Sequence, residues 1–283
     1  MGRDENVSIF EDTKNICKSH PAVRNAIKLS NDHQEIFLEG DPVFPEPRLL
    51  SDPAKVIVSK RRSYEAAMRY MGHETCVLNF ASATRPGGGV KSGSSAQEES
   101  LCRCSTLFPT IDRKWLWQKY YDVNRAAQNV LHTDACIYSP GVILCKTDES
   151  IPKRMKPSDF VTVDVISCAA PNLRNEPANY HYPETGKPVR MDPDQLRSIH
   201  MKRARHIMHV AAANKVDILI LGAFGCGAFA NDPEIVAQAY RMAIIEYLPR
   251  FDVIEFAIYC KDHETDNYKA FYERFELLID NQG

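Results

Sequence analysis

Residues 216–248 read "VDILILGAFGCGAFANDPEIVAQAYRMAIIEYL". A short, almost wholly apolar run breaks into a glycine-rich loop, which passes through Asp232-Pro233 into a stretch with helical spacing of apolar residues. An apolar run with no polar alternation is a strand buried on both faces. Asp-Pro is a helix start: the carboxylate caps free N–H groups, and proline fits the first helical position. The same grammar recurs through the chain. "TCVLNFAS" (75–82) and "DFVTVDVISCAAPNL" (159–173) are strands running into loops, and "FDVIEFAIYC" (251–260) is a further strand. Another Asp-Pro start opens the helix of 192–215. Apolar strands alternating with helices predict an α/β fold, a largely parallel sheet covered on both faces. Ligands bind such sheets beyond the carboxyl ends of the strands, where these glycine loops fall.

Upstream, residues 7–30 have helical spacing divided by Pro21, and predict an N-terminal helical extension. "QEIFLEG" (34–40) and "AKVIVSK" (54–60) are strand-like, joined by a proline-rich connector, "DPVFPEPRLLSDP". "SYEAAMRYMG" (63–72) predicts a short helix ended by Gly72. The expected organisation is an extension and connector over 1–50 and one catalytic domain over 51–283, a size within single-domain range.

Composition removes several classes of function. The 283 residues are 44% hydrophobic and 25% charged, with a net charge of −2, so the basic excess of a nucleic-acid binder is lacking. No apolar run approaches a membrane span, and the first residues have no secretory core or myristoylation pattern. The nine cysteines form no C-x-x-C pair, and several sit in apolar runs. They read as small buried hydrophobes in a reducing compartment, which predicts a cytoplasmic protein without a zinc site.

Two loops carry the candidate chemistry. In "GAFGCGAFANDPE" (222–234) the glycines let successive N–H groups converge on an anion. Their spacing is neither G-x-G-x-x-G nor a P-loop, which argues against nucleotide triphosphate hydrolysis. In "PGGGVKSGSSAQEESLCRCS" (86–105) three glycines precede Glu98 and Glu99 at a helix start. Adjacent helical residues point about 100° apart, so one acid can face a cleft while the other supports it. A carboxylic acid there can protonate a departing oxygen, the central step of glycosidic cleavage. Elsewhere, Cys226 lacks an evident base partner, His206 and His209 lack H-E-x-x-H, "KRARH" (202–206) reads as a solvated basic face, and Trp115 and Trp117 read as packing residues.

The 86–105 stretch resembles the signature of the poly(ADP-ribose) glycohydrolase family: Gly-Gly-Gly, a short variable spacer (90–96), then Gln-Glu-Glu. "VLNFASATRPGGG", "SLCRCSTLFP" and "GAFGCGAFANDP" are similar to the compact microbial branch of that family. The resemblance implies a macrodomain-like three-layer α/β/α sandwich, its sheet mixed and mostly parallel, that hydrolyses the ribose glycosidic bond without metal or cofactor. Its partners would be ADP-ribose or poly(ADP-ribose), free or on modified proteins. Carried over by position, Glu99 is the catalytic acid, which then activates water; Glu98 holds ribose hydroxyls; Gln97 positions the loop. Gly87, Gly88 and Gly89 bring backbone to the ligand, and Asn79 sits near the distal ribose. Gly225, Cys226, Gly227, Ala228 and Phe229 wrap the diphosphate. Two positions depart from the pattern: Ser82 stands where a second Asn is usual, and Val90 where an aromatic is expected on the leaving-group side. A mono-ADP-ribosyl-protein hydrolase and a non-catalytic ADP-ribose-binding macrodomain are the alternatives.

Overall fold

A computed structural model describes residues 2–41, 49–177 and 186–280. Most of the proline-rich connector, residues 42–48, lies outside the described residues. The helices are α1 (Arg3–Ser19), α2 (Pro21–Asp32), α3 (Ser63–Ala67), α4 (Gln97–Cys104), α5 (Leu107–Ile111), α6 (Lys114–Leu116), α7 (Asp122–Ala127), α8 (Pro193–Ala213), α9 (Pro233–Ile244) and α10 (Asp266–Asp280). The strands are β1 (Glu35–Phe37), β2 (Lys55–Ser59), β3 (Thr75–Phe80), β4 (Cys136–Leu144), β5 (Val161–Cys168), β6 (Ile218–Leu221) and β7 (Val253–Ala257). They form one seven-stranded sheet in the order β1-β4-β5-β3-β6-β7-β2. The pairs β3/β5, β3/β6, β6/β7 and β2/β7 are parallel, whereas β4 runs antiparallel to both β1 and β5.

Alternation along the strands sorts the core into two faces. Leu78, Ile166, Leu219, Ile254 and Phe256 pack with α8, α9 and α10. Their neighbours Val77, Val165, Ile218 and Ile220 pack with Phe10 of α1, Tyr64 of α3, Leu101 of α4 and Leu107 of α5. Two apolar faces on one sheet give the three-layer α/β/α sandwich. Asp192 and Asp232 act as caps, accepting from Asp194 N and Gln195 N, and from Glu234 N.

Strand β4 and helix α10 are among the elements that were not evident from the residues. Strand β4 contains Pro140-Gly141, which interrupts an apolar run, and the register slips between Ser139 and Val142. The bulge is secured by Asp164, which accepts from Gly141 N at 2.9 Å and from the Tyr138 hydroxyl. Helix α10 covers the β7 side through Phe271 and Phe275.

The "KRARH" segment is not a solvated face throughout. Arg203 is fully buried, pairs with Asp134 at 3.0 Å, and donates to the carbonyls of Ala169 and Leu131. The α8 periodicity turns this one arginine inward, and Asp134 with the carbonyls supplies the partners that a buried cation requires.

Helix α1 is tied to the loop ahead of α4. Asn6 Nδ2 donates to Gly93 O at 2.9 Å, Phe10 meets Phe108 edge-on at 5.0 Å, and the buried Lys146 ammonium holds Ile9 O at 2.7 Å and Asp12 at 2.9 Å. Gly93 lies at φ +76° with the Arg3 carbonyl where a Cβ would project, so only glycine fits that approach.

Candidate active site

The start of α4 is fastened to the end of β3 by Gln97. Its Nε2 donates to Leu78 O at 2.8 Å and Ser63 Oγ at 3.0 Å, and its Oε1 accepts from Phe80 N at 2.9 Å. This anchor places Glu98 and Glu99, 3% and 7% exposed, beside the loop of residues 85–89. Glu98 is held as an acceptor on both oxygens. Oε2 takes Ser82 N at 2.8 Å, and Oε1 takes Gly87 N at 3.2 Å and Asn79 Nδ2 at 3.4 Å. Glu99 Oε1 takes Gly89 N at 2.8 Å, and its Oε2 has no hydrogen-bond partner among the described residues.

The glycines make this cradle possible. Gly87 and Gly88 lie at φ +69° and +52°, which turns the flanking N–H groups of 87 and 89 onto the two carboxylates. A Cβ on Gly88 would sit 2.7 Å from Glu99 Oε1 and 3.1 Å from Glu98 Oε2. The two acids therefore converge on one point of backbone.

Burial raises both carboxyl groups above the ordinary glutamate range. Glu98 is pushed to about 8, by desolvation first and the nearby Glu99 charge second, against the donors from Ser82, Asn79 and Gly87. Both groups therefore hold a proton more tightly than an exposed glutamate does. Three N–H donors surround Glu98 and oppose that rise, while the bare Oε2 of Glu99 is free to carry a proton.

The pair opens on a cavity of ≈ 670 Å³ beyond the carboxyl ends of the strands. Gly88, Gly89, Gln97, Glu98 and Glu99 line it on one side, and Gly225, Gly227, Ala228 and Phe229 on the other. None of the backbone N–H groups of Gly225, Gly227, Ala228 and Phe229 has a partner among the described residues, and all four residues line the cavity.

Four expected site residues do not line the cavity. Asn79 is fully buried and joins Glu98 to Ser167 Oγ, the latter at 3.0 Å. Gly87 supports Glu98 from behind. Val90 opens a 3₁₀ turn (Val90–Ser92) that packs it into the core under α1 and α5. Cys226 points towards Phe224 O, and burial pushes its thiol well up, which disfavours the nucleophilic thiolate. Trp117 donates to Asp112 at 2.9 Å and packs, with Trp115, on the second core face.

Other lining residues carried no local signal. Arg62, after β2, lies 3.8 Å over the ring of Tyr259, after β7; the sheet makes neighbours of segments distant in sequence. His132, Arg174 and Phe80 also line the cavity, with Arg174 5.8 Å over the Phe229 ring. Among the described residues only His73, Asp217 and Asp252 come together at metal-ligand spacing, and none of them lines the cavity.

Residues 4–147 match the family model "Microbial-type PARG, catalytic domain". Among solved structures, poly(ADP-ribose) glycohydrolase from Thermomonospora curvata is similar at 23% identity and TM-score 0.79, covering 96% of this chain and 100% of that one. The Deinococcus radiodurans enzyme in complex with ADP-ribose is similar at 28% identity and TM-score 0.72, covering 89% of this chain and 98% of that one. No curated protein matches. With a buried Gln-Glu-Glu cradle, a facing glycine loop and a family match over half its length, this chain belongs to the microbial-type poly(ADP-ribose) glycohydrolase family.

Proposed function

We propose that this protein hydrolyses the ribose glycosidic bond of poly(ADP-ribose), with Glu99 as general acid and base. The observation that carries the reading is one cavity lined both by a buried carboxyl pair and by four residues whose N–H groups have no partner among the described residues. The amides of 225–229 receive the diphosphate of an ADP-ribose unit, and the ring of Phe229 lies against the sugar. Tyr259 beneath Arg62 closes the far end with a flat surface suited to the base. Glu98, fixed by three donors, accepts from ribose hydroxyls. Glu99 delivers its proton to the oxygen leaving the anomeric carbon, and the resulting carboxylate steadies the oxocarbenium-like centre and then takes a proton from the attacking water.

The relatives support this reading: the Thermomonospora curvata enzyme is known bound to the inhibitor ADP-HPD, and the Deinococcus radiodurans enzyme bound to ADP-ribose. A non-catalytic reader is the weaker alternative, because burying two acids side by side costs stability without serving binding. We read 1–50 as an extension that buttresses the catalytic loop of the 51–283 domain. Nine free cysteines support a reducing, cytoplasmic setting. No described helix is long and apolar enough to cross a membrane.

The test is incubation with poly(ADP-ribose) and, in parallel, with a singly ADP-ribosylated protein. Polymer is expected to release free ADP-ribose; release only from the singly modified protein would favour the mono-ADP-ribosyl reading. The rate is also expected to fall as pH rises past the range in which Glu99, its carboxyl raised by burial, keeps its proton, because the acid step needs that proton. A rate rising as pH leaves that range would remove the general-acid role.

A further inference from the structure

We infer that Asn231, oriented by His200, is the positioning residue that makes the 225–229 loop a diphosphate receptor; this rests on the function proposed above. Neither side chain lines the cavity. Asn231 is 2% exposed, and its Nδ2 lies 2.7 Å from Pro171 O, 3.0 Å from Gly225 O and 3.2 Å from Phe229 O. Its backbone N–H also donates to Gly225 O, at 3.1 Å. One side chain thus gathers the carbonyls at both ends of the loop and the carbonyl of the neighbouring loop after β5.

With its end carbonyls drawn to Asn231, the loop leaves the N–H groups of the cavity-lining residues Gly225, Gly227, Ala228 and Phe229 without partners among the described residues. The arrangement leaves no spare room. Gly225 lies at φ +82°, and a Cβ there would fall 2.8 Å from Asn231 Nδ2 and 2.7 Å from Ala170 Cβ. Ala230 is held at φ +56°, a conformation that non-glycine residues rarely adopt.

His200 fixes which way the amide points. Three carbonyl oxygens around one atom of Asn231 require that atom to be the NH₂ group, so Oδ1 must face His200 Nε2, 2.8 Å away. Nε2 then carries the hydrogen and Nδ1 is bare, in agreement with Nδ1 having no partner. His200 is fully buried, 6.0 Å edge-on to Phe224, and burial holds its pKa down at about 4, which keeps this neutral tautomer through the working range.

The test compares Asn231→Asp, His200→Leu and His200→Gln with the wild type, measuring affinity for ADP and for adenosine together with thermal melting. Asn231→Asp sets carboxylate oxygen against three carbonyls, and His200→Leu removes the donor to Oδ1; each is expected to weaken ADP binding by about tenfold or more. Adenosine affinity should not change, and KM for polymer should rise more than kcat falls. In His200→Gln the side-chain amide can still donate to Oδ1, and ADP affinity should return to within about threefold of wild type. Equal losses for ADP and adenosine, or folded variants with unaltered ADP affinity, would overturn the inference alone. Failure of the wild type to bind ADP would overturn it together with the function on which it rests. If Asn231→Asp does not fold, the His200→Leu and His200→Gln pair decides the question.

Discussion

Replacing Gly88 with alanine is expected to lower kcat by about 100-fold or more while the protein stays folded, since misplacing catalytic groups by about 1 Å costs that much. The new methyl would stand 2.7 Å from Glu99 Oε1, closer than a carbon and an oxygen settle, and a tight 3.1 Å from Glu98 Oε2. These atoms are side-chain ends, so they yield rather than the backbone. Both carboxylates swing away, and the amides of Gly87 and Gly89 lose their acceptors. Position 88 also lies at φ +52°, which adds about 1 kcal/mol of backbone cost for a residue bearing a Cβ. Kinetics on polymer with a melting curve checks this. A kcat near wild type would mean that the loop does not set the position of the acids.

How much of this site was legible in the residues depends on distance along the chain. The parallel core was readable because β3 and β6, and β5 from Val165 onward, are buried on both faces and mostly apolar. The Asp-Pro starts of α8 and α9 were readable because a cap is a local event. Strand β4 was not, since Pro140 and Gly141 mark a turn in isolation and become a bulge only against Asp164. Glu98 and Glu99 were legible as two acids at the start of a helix, where α4 begins, but the purpose of the glycines changed. The amides of Gly87 and Gly89 turn to the acids, and the free amides lie in the second loop. Asn79 and Val90 could not be placed from sequence, because strand alternation and the 3₁₀ turn decide which way each points. Arg62, Tyr259 and His132 come together only through the strand order.

Changing Glu99 to glutamine is expected to have the largest effect on catalysis, a loss of about 10²–10⁴-fold in kcat, with ADP-ribose affinity preserved. Glutamine keeps the acceptor for Gly89 N and the shape of the side chain, and removes the proton that leaves with the departing oxygen. The same change should raise stability at alkaline pH. A buried carboxyl with a raised pKa holds its proton more tightly in the folded chain than in the unfolded one, so wild-type stability falls as pH rises from the ordinary glutamate range through about 8. Removing one acid relieves that penalty, and each kcal/mol regained lifts Tm by about 2–4 °C in a protein of this size. The measurement that bears most directly on the account is free ADP-ribose released from purified poly(ADP-ribose) by wild type and Glu99→Gln, with binding of the polymer followed in the same samples. The account predicts equal binding, with release by the wild type alone. Equal binding with release by neither, or release by both at the same rate, would contradict it.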